Sequence, residues 1–269
     1  MPRVTGHKPD RPIWFDLMTR DAKAAREFYH KVIGWEYDIS GPEMGGYAMA
    51  RRGSDVCAGI GQMQPEDTYP PSWTSYFGVT NADATAKAIT AAGGQVIVPL
   101  MDIGGQGRMA VCQDPTGAVF GIWQPKEHLG AALIGEPGAM VWREVNTRDA
   151  AAAAAFYCKV SGRREEVMDM KGTPYHMLNT AEGPACGVMQ MTKEFGEMPP
   201  HWMVYFGVED ADRAKAKVEA AGGKVPFGPL ADLPVLGPIV FRHDWVVYLS
   251  LILVVAVWAF LKHSRAGLV

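Results

Sequence analysis

The feature that most constrains this chain is an internal repeat. Thr19-Arg20-Asp21 recurs as Thr147-Arg148-Asp149, a shift of 128 residues. Phe28-Tyr29, Lys31-Val32 and Gly34 recur at the same shift as Phe156-Tyr157, Lys159-Val160 and Gly162, and Tyr47 and Met49 as Tyr175 and Met177. Gln62-Met63 returns as Gln190-Met191. One inserted residue then makes the shift 129, so that Trp73 matches Trp202, Tyr76-Phe77-Gly78-Val79 matches Tyr205-Phe206-Gly207-Val208, and Ala91-Ala92-Gly93-Gly94 matches Ala220-Ala221-Gly222-Gly223. The period is far too long for a solenoid and denotes a duplicated domain. The boundaries read as a first domain over 11–125, a linker over 126–138 rich in Gly and Pro, and a second domain over 139–243 with an atypical ending.

Each copy divides again. A strand over 13–18 leads to a helix from Asp21 to Ile33, on which Ala24, Phe28 and Val32 recur every fourth residue and should face a sheet. Asp21 suits a cap and Gly34 a stop. Short strands follow around 47–50 and 56–63. A second strand over 73–80, a helix over 82–92 and strands near 108–112 and 118–124 repeat the pattern, with Asp114-Pro115-Thr116-Gly117 as a turn. The order reads βαβββ twice, an α+β chain.

Composition narrows the partners. Of 269 residues, 48% are hydrophobic and 20% charged, a globular balance with ample material for a core, and the formal net charge of −3 with no basic block argues against nucleic acid. Cys57, Cys112, Cys158 and Cys186 form no CxxC pair, and with no secretory signal they read as reduced thiols of a cytoplasmic protein. Gly104-Gly105-Gln106-Gly107 fits neither a P-loop nor a dinucleotide fingerprint and reads as a loop at a cavity mouth. No cofactor fingerprint is present. Arg163-Arg164-Glu165-Glu166 reads as a solvated strand edge. Met189 and Met191 share a strand face and read first as core, then as cavity lining.

The Phe28-Tyr29 helix ending at Gly34-Trp35, the Tyr76-Phe77-x-Val79 strand, the Ala92-Gly93-Gly94 helix end and Asp114-Pro115-x-Gly117 together resemble the vicinal-oxygen-chelate superfamily, which includes glyoxalases, bleomycin-resistance proteins and dioxygenases. The resemblance covers residues 11–125 and 139 to about 230. It is nearest to a two-domain actinobacterial branch labelled glyoxalase-like or hydroxylase. It implies tandem domains, each of paired βαβββ units in a half-open sheet around a cup that receives a small molecule.

Metal-dependent members carry a His on the first strand, a His or Glu on the fifth and a Glu on the last. By motif these positions fall on Trp14 and Trp142, on Thr74 and Met203, and on Gly121. None offers an imidazole or an anionic donor, so a metal-independent site without cofactor is expected. His30, His176 and His201 read as isolated or locally bonded residues.

Strand alternation puts Asp16 on the same face as Trp14, and Glu144 with Trp142. The fifth strands add Thr74 and Tyr76, or Met203 and Tyr205, and the last strand adds Trp123. A carboxylate among aromatic walls should have a raised pKa, suited to acid/base work, with Tyr76 and Tyr205 as donors to a substrate oxygen. Asp16, Glu144, Tyr76 and Tyr205 are therefore the catalytic candidates, and Trp14, Thr74, Trp123, Trp142 and Met203 the ligand-binding ones. Three readings stand: lyase- or isomerase-like proton transfer on a small oxygen-containing molecule, ligand sequestration of the bleomycin-resistance type, and a structural network of buried polar groups.

The C-terminus breaks the repeat. Trp245 stands where Pro115 would recur, and residues 245–261 are almost wholly apolar within a segment spanning 244–262. A helix of that length spans about 25 Å, slightly short of the roughly 30 Å hydrocarbon core. The segment reads as a membrane anchor, which would make the protein membrane-attached, as a substitute last strand, or as an altered ending without an evolved role.

Overall fold

The computed structural model describes residues 12–170 and 172–224. The apolar C-terminal segment lies outside them, so its three readings stand as expectations. Among the described residues no helix is long and apolar enough to cross a membrane.

The chain forms two mixed sheets. In the first copy β1 (Pro12–Thr19), α1 (Ala22–Ile33), β2 (Glu36–Ile39), β3 (Ala48–Arg52) and β4 (Asp55–Gln62) form one βαβββ unit. β5 (Ser72–Gly78), α2 (Ala82–Ala91), β6 (Gln95–Ile103), β7 (Gly107–Gln113) and β8 (Val119–Pro125) form the next. Their strands make one eight-stranded sheet in the order β2-β3-β4-β1-β5-β8-β7-β6. The second copy supplies β9 (Met140–Thr147), α3 (Ala150–Ser161), β10 (Arg164–Met170), β11 (Thr173–Thr180), β12 (Gly183–Gln190), β13 (His201–Phe206) and α4 (Ala211–Ala220). Its order, β10-β11-β12-β9-β13, repeats the first five strands of the other sheet. The fold is α+β with tandem βαβββ units.

Local chemistry sets the helix ends. The Asp21 carboxylate accepts from the Ala24 amide at 2.8 Å, and Asp149 accepts from Ala152 at 3.0 Å. Gly34 closes α1 in the left-handed region at φ 75°, its N–H bonded to the His30 carbonyl. The repeated glutamines are clamps: Gln62 accepts from the Ala22 amide and Gln190 from Ala150, at 3.0 and 3.1 Å. Each ties a helix start to its sheet.

The buried face of α1 differs from the expected Ala24–Phe28–Val32 stripe. Ala22, Tyr29, Val32 and Ile33 are buried, whereas Ala24 and Phe28 are half-buried. The reason is tertiary. Tyr29 turns to its own sheet, where Trp73 Nε1 donates to its hydroxyl at 2.9 Å, while Phe28 lies against Gly223 of the second copy. The edge strands β2 and β6, which sequence did not place individually, expose much of their length; β6 is apolar in sequence, yet its Ile97 and Met101 are exposed.

The two copies share one core. Tyr29, Trp35 and Trp73 meet Phe206, with Trp35 5.1 Å from it between ring centroids. On the other side Phe77 and Phe120 meet Tyr157, and Phe77 also meets Trp202. The Tyr157 hydroxyl accepts from Trp202 Nε1 and donates to buried Asp114 at 2.8 Å, locking one copy to the other. Arg163 is not at a solvated edge: it is 5% exposed, its guanidinium 4.6 Å from the Phe77 ring centroid. Arg164 and Glu166 are exposed on β10. Because this face of each sheet is buried in the common core, the residues read as cup lining lie on the opposite face.

Candidate functional site

The register of the central strands assembles the cups. Asp16 sits opposite Gly59 on β4 and Thr74 on β5, and Trp14 sits opposite Tyr76. In the second copy Glu144 faces Gly187 and Met203, and Trp142 faces Tyr205. Alternation therefore gathers Trp14, Asp16, Thr74 and Tyr76 on one face, and Trp142, Glu144, Met203 and Tyr205 on the other copy's matching face. All are buried except Thr74, which is half-buried.

A tyrosine at the third strand, Tyr47 just before β3 and Tyr175 within β11, completes each group. Trp14 Nε1 donates to the Tyr47 hydroxyl at 2.9 Å, and that hydroxyl donates to Asp16 Oδ2 at 3.2 Å. Trp142 Nε1 likewise donates to the Tyr175 hydroxyl at 2.9 Å, which donates to Glu144 Oε2 at 2.7 Å. Glycine makes this possible. A Cβ at Gly59 or Gly187 would fall inside the tyrosine hydroxyl lying over it. Sequence reasoning used Tyr47 and Tyr175 only to align the copies. The signal available was that each tyrosine and its glycine, Tyr47 with Gly59 and Tyr175 with Gly187, recur at the same shift.

The cups differ at the carboxylate. Glu144 is closed on both oxygens, because the Tyr205 hydroxyl donates to Oε1 at 2.6 Å. Asp16 is one methylene shorter. Its Oδ1 is buried and has no hydrogen-bond partner, although the Tyr76 hydroxyl stands close enough to favour its charged form. Burial pushes Asp16 up to about 7, against the opposing pull of the Tyr47 and Tyr76 hydroxyls. Burial also raises Glu144, opposed by Tyr205, Tyr175 and Trp142. Tyr47 and Tyr76 are held well above the usual phenol range by burial and the adjacent carboxylate, so both are proton donors at neutral pH.

The segment read as a linker supplies a further wall. Its backbone bonds to the sheet through the Ala131 amide to the Ile13 carbonyl and the Ala132 amide to Val56, both at 2.8 Å. His128 packs its ring edge-to-face with Trp14 at 4.3 Å and with Trp123 at 5.5 Å, and Trp123 Nε1 donates to the His128 carbonyl at 2.9 Å. Burial lowers His128 to about 4, which keeps the ring neutral, and its Nε2 is buried without a partner. The Gly104–Gln106 turn holds this segment, since Gln106 accepts from the His128 amide at 3.1 Å. No local pattern marked His128, because its place depends on a chain reversal.

The family's metal positions test poorly as ligands. Trp14 is engaged with Tyr47, Thr74 offers only a hydroxyl, and the Tyr76 ring fills the space any side chain at Gly121 would need. Trp142 and Met203 stand at the matching places of the second cup. This donor set does not fit a transition metal. His176 pairs with Glu165, and His201 Nδ1 meets the Pro199 carbonyl at 2.8 Å. They lie on β11 and β13, which are separated by β12 and β9.

The model of the Glyoxalase/Bleomycin resistance protein/Dioxygenase superfamily matches residues 11–122. A Mycobacterium tuberculosis protein, CFP32, named as a candidate glyoxylase, is 39% identical over 249 residues, covering 91% of this chain and 94% of that one. The chain belongs to this superfamily. Another member, the anthracycline biosynthesis protein DnrV of Streptomyces peucetius, is 34% identical over 245 residues, covering 86% of this chain and 88% of its own. Among superfamily structures, the Mn(II)-bound glyoxalase from Novosphingobium aromaticivorans aligns with TM-score 0.56 at 15% identity, over 82% of this chain and 75% of its own. The 2,3-dioxygenase LapB from Pseudomonas sp. KL28 aligns with TM-score 0.56 at 14% identity, over 87% and 84%. At such identity the likeness shows the fold alone.

Proposed function

We propose that the first cup performs acid/base chemistry on a small oxygen-containing molecule without a metal. The observation that carries this reading is the buried Asp16 carboxyl with one oxygen unpartnered and a pKa near neutrality. Asp16 Oδ1 takes a proton from carbon beside a substrate carbonyl. Tyr76 donates a hydrogen bond to the oxygen on which charge develops. Tyr47, oriented by Trp14, holds Oδ2 and so aims Oδ1 at the substrate. Trp14, Trp123 and His128 wall the site. Proton return to the same or another carbon gives epimerisation or isomerisation, and loss of a leaving group gives elimination.

The relatives' names bear on the substrate. One is named for glyoxylase activity and another for anthracycline biosynthesis, so an oxygenated aromatic ketone suits both the aromatic walls and the family. The domain division at 125 and 139 is part of the same proposal, with residues 126–138 serving the first cup as well as joining the copies.

The second cup supports the other reading, ligand binding without chemistry. Both Glu144 oxygens are occupied by tyrosine hydroxyls, which leaves no free oxygen for a substrate proton.

The test is deuterium exchange. Aromatic hydroxy-ketones are incubated with the protein in D2O and followed by NMR for label entering the carbon beside the carbonyl. Exchange by the native chain that is lost in Asp16→Asn is the expected result. Equal exchange by both would sink the assignment.

A further inference from the structure

We propose that the second cup is a separate binding site for a neutral, hydroxyl-bearing aromatic molecule, recognised by the Asn146 amide and the His201 imidazole. The inference stands apart from the acid/base reading of the first cup. Alternation along β9 puts Asn146 on the same face as Trp142 and Glu144, and alternation along β13 puts His201 with Met203 and Tyr205. Asn146 and His201 are directly opposite in the β9–β13 register, so their Cβ atoms are about 5 Å apart. Their side chains therefore stand side by side on the face that carries Glu144 and Tyr205.

Both carry unmet hydrogen-bonding capacity. Asn146 is 0% exposed, yet neither Nδ2 nor Oδ1 has a partner. Buried amides are almost always satisfied, and one that is not costs the fold stability. His201 Nε2 is also buried and unpartnered. Its role is fixed by the other nitrogen: Nδ1 meets the Pro199 carbonyl, which can only accept, so Nδ1 carries the proton and Nε2 presents a lone pair. Burial lowers the His201 pKa and keeps the ring neutral.

One hydroxyl satisfies this pair. It donates to His201 Nε2 and accepts from Asn146 Nδ2. Met189, beside Asn146 on β12, and Met203, beside Glu144, supply thioether walls that favour an aromatic face. The charge points the same way. Trp142, Glu144, Asn146, His201, Met203 and Tyr205 include no cation, and an anionic ligand would meet the buried Glu144 carboxyl. The first copy has no such pair, since Met18 and Ser72 occupy the matching positions.

Those counterparts define the test. The full chain, Asn146→Met, His201→Ser and Asp16→Asn are titrated calorimetrically with 2-naphthol and with 2-methoxynaphthalene, which cannot donate. The native chain should prefer 2-naphthol by about tenfold, the value of one hydrogen bond. His201→Ser should erase the preference, Asn146→Met, which removes a donor that serves both probes, should weaken both by about tenfold while keeping it, and Asp16→Asn should retain it. Asn146→Met should melt no lower than the native chain. Equal affinity of the native chain for the two probes, a preference kept by His201→Ser, unchanged affinities in Asn146→Met, loss of the preference in Asp16→Asn, or a lower melting point for Asn146→Met would each overturn the proposal.

Discussion

Replacing Asp16 with Glu should make the protein more stable and less active. The second cup already holds the outcome, with the same Trp, two Tyr and Gly around a Glu whose oxygens receive hydrogen bonds of 2.7 and 2.6 Å. In the first cup the Tyr47 bond is 3.2 Å and Oδ1 has none. An extra methylene advances the carboxyl by about 1.5 Å. One bond is then gained and one shortened, for roughly 1.5–2.5 kcal/mol, less about 0.5 kcal/mol of added rotamer entropy. A net gain of about 1–2 kcal/mol corresponds to a rise of roughly 2–8 °C in melting temperature for a chain of this size. Closing Oδ1 onto Tyr76 removes both the base and the donor, so deuterium exchange should fall at least tenfold. Circular dichroism melts and the D2O assay read the two effects. A variant that exchanges at the native rate while melting higher would refute the link between the unpartnered oxygen and catalysis. One that melts lower would refute the structural comparison.

Stability should also depend on pH through Asp16. The folded carboxyl titrates at about 7 and the unfolded one near its ordinary 3.8, so the folded state holds an extra proton between those values. The contribution is fully present below about 4 and is lost as pH rises through 7, worth roughly 4 kcal/mol at most. Denaturant titrations from pH 4 to 8 should show this decline, and Asp16→Asn should flatten it. Exchange activity should rise with the same pKa, because the base must be ionised. Gly59→Ala should displace Tyr47 and cost about 1–3 kcal/mol, with loss of exchange, whereas Gly187→Ala should cost as much while leaving exchange intact; equal losses of activity would count against the division of roles. Tyr157→Phe strips the partner from buried Asp114 Oδ2 and Trp202 Nε1 and should cost about 2–3 kcal/mol in a urea melt without altering exchange.

Much of this architecture was legible because its signals are short-range or repeated. The caps at Asp21 and Asp149 act within one helical turn. Alternation along β1 and β9 needs only neighbours to place Trp14 with Asp16 and Trp142 with Glu144. The duplication supplied a second, independent reading of the motifs as far as Gly93-Gly94. The C-terminal run was visible too, although its residues lie outside those described.

Other features had to wait for contacts far apart in the chain. Tyr47 reaches Asp16 across 31 positions, over a glycine whose missing side chain becomes informative only once the strands are paired. His128 enters the first cup because the chain reverses against β1, and Arg163 is buried because the other copy brings Phe77 to it. Above all, sequence shows that the copies carry Asp in one place and Glu in the other, which looks conservative. Whether one methylene closes a hydrogen bond depends on where two tyrosine hydroxyls come to rest, and the packing of the whole sheet sets that.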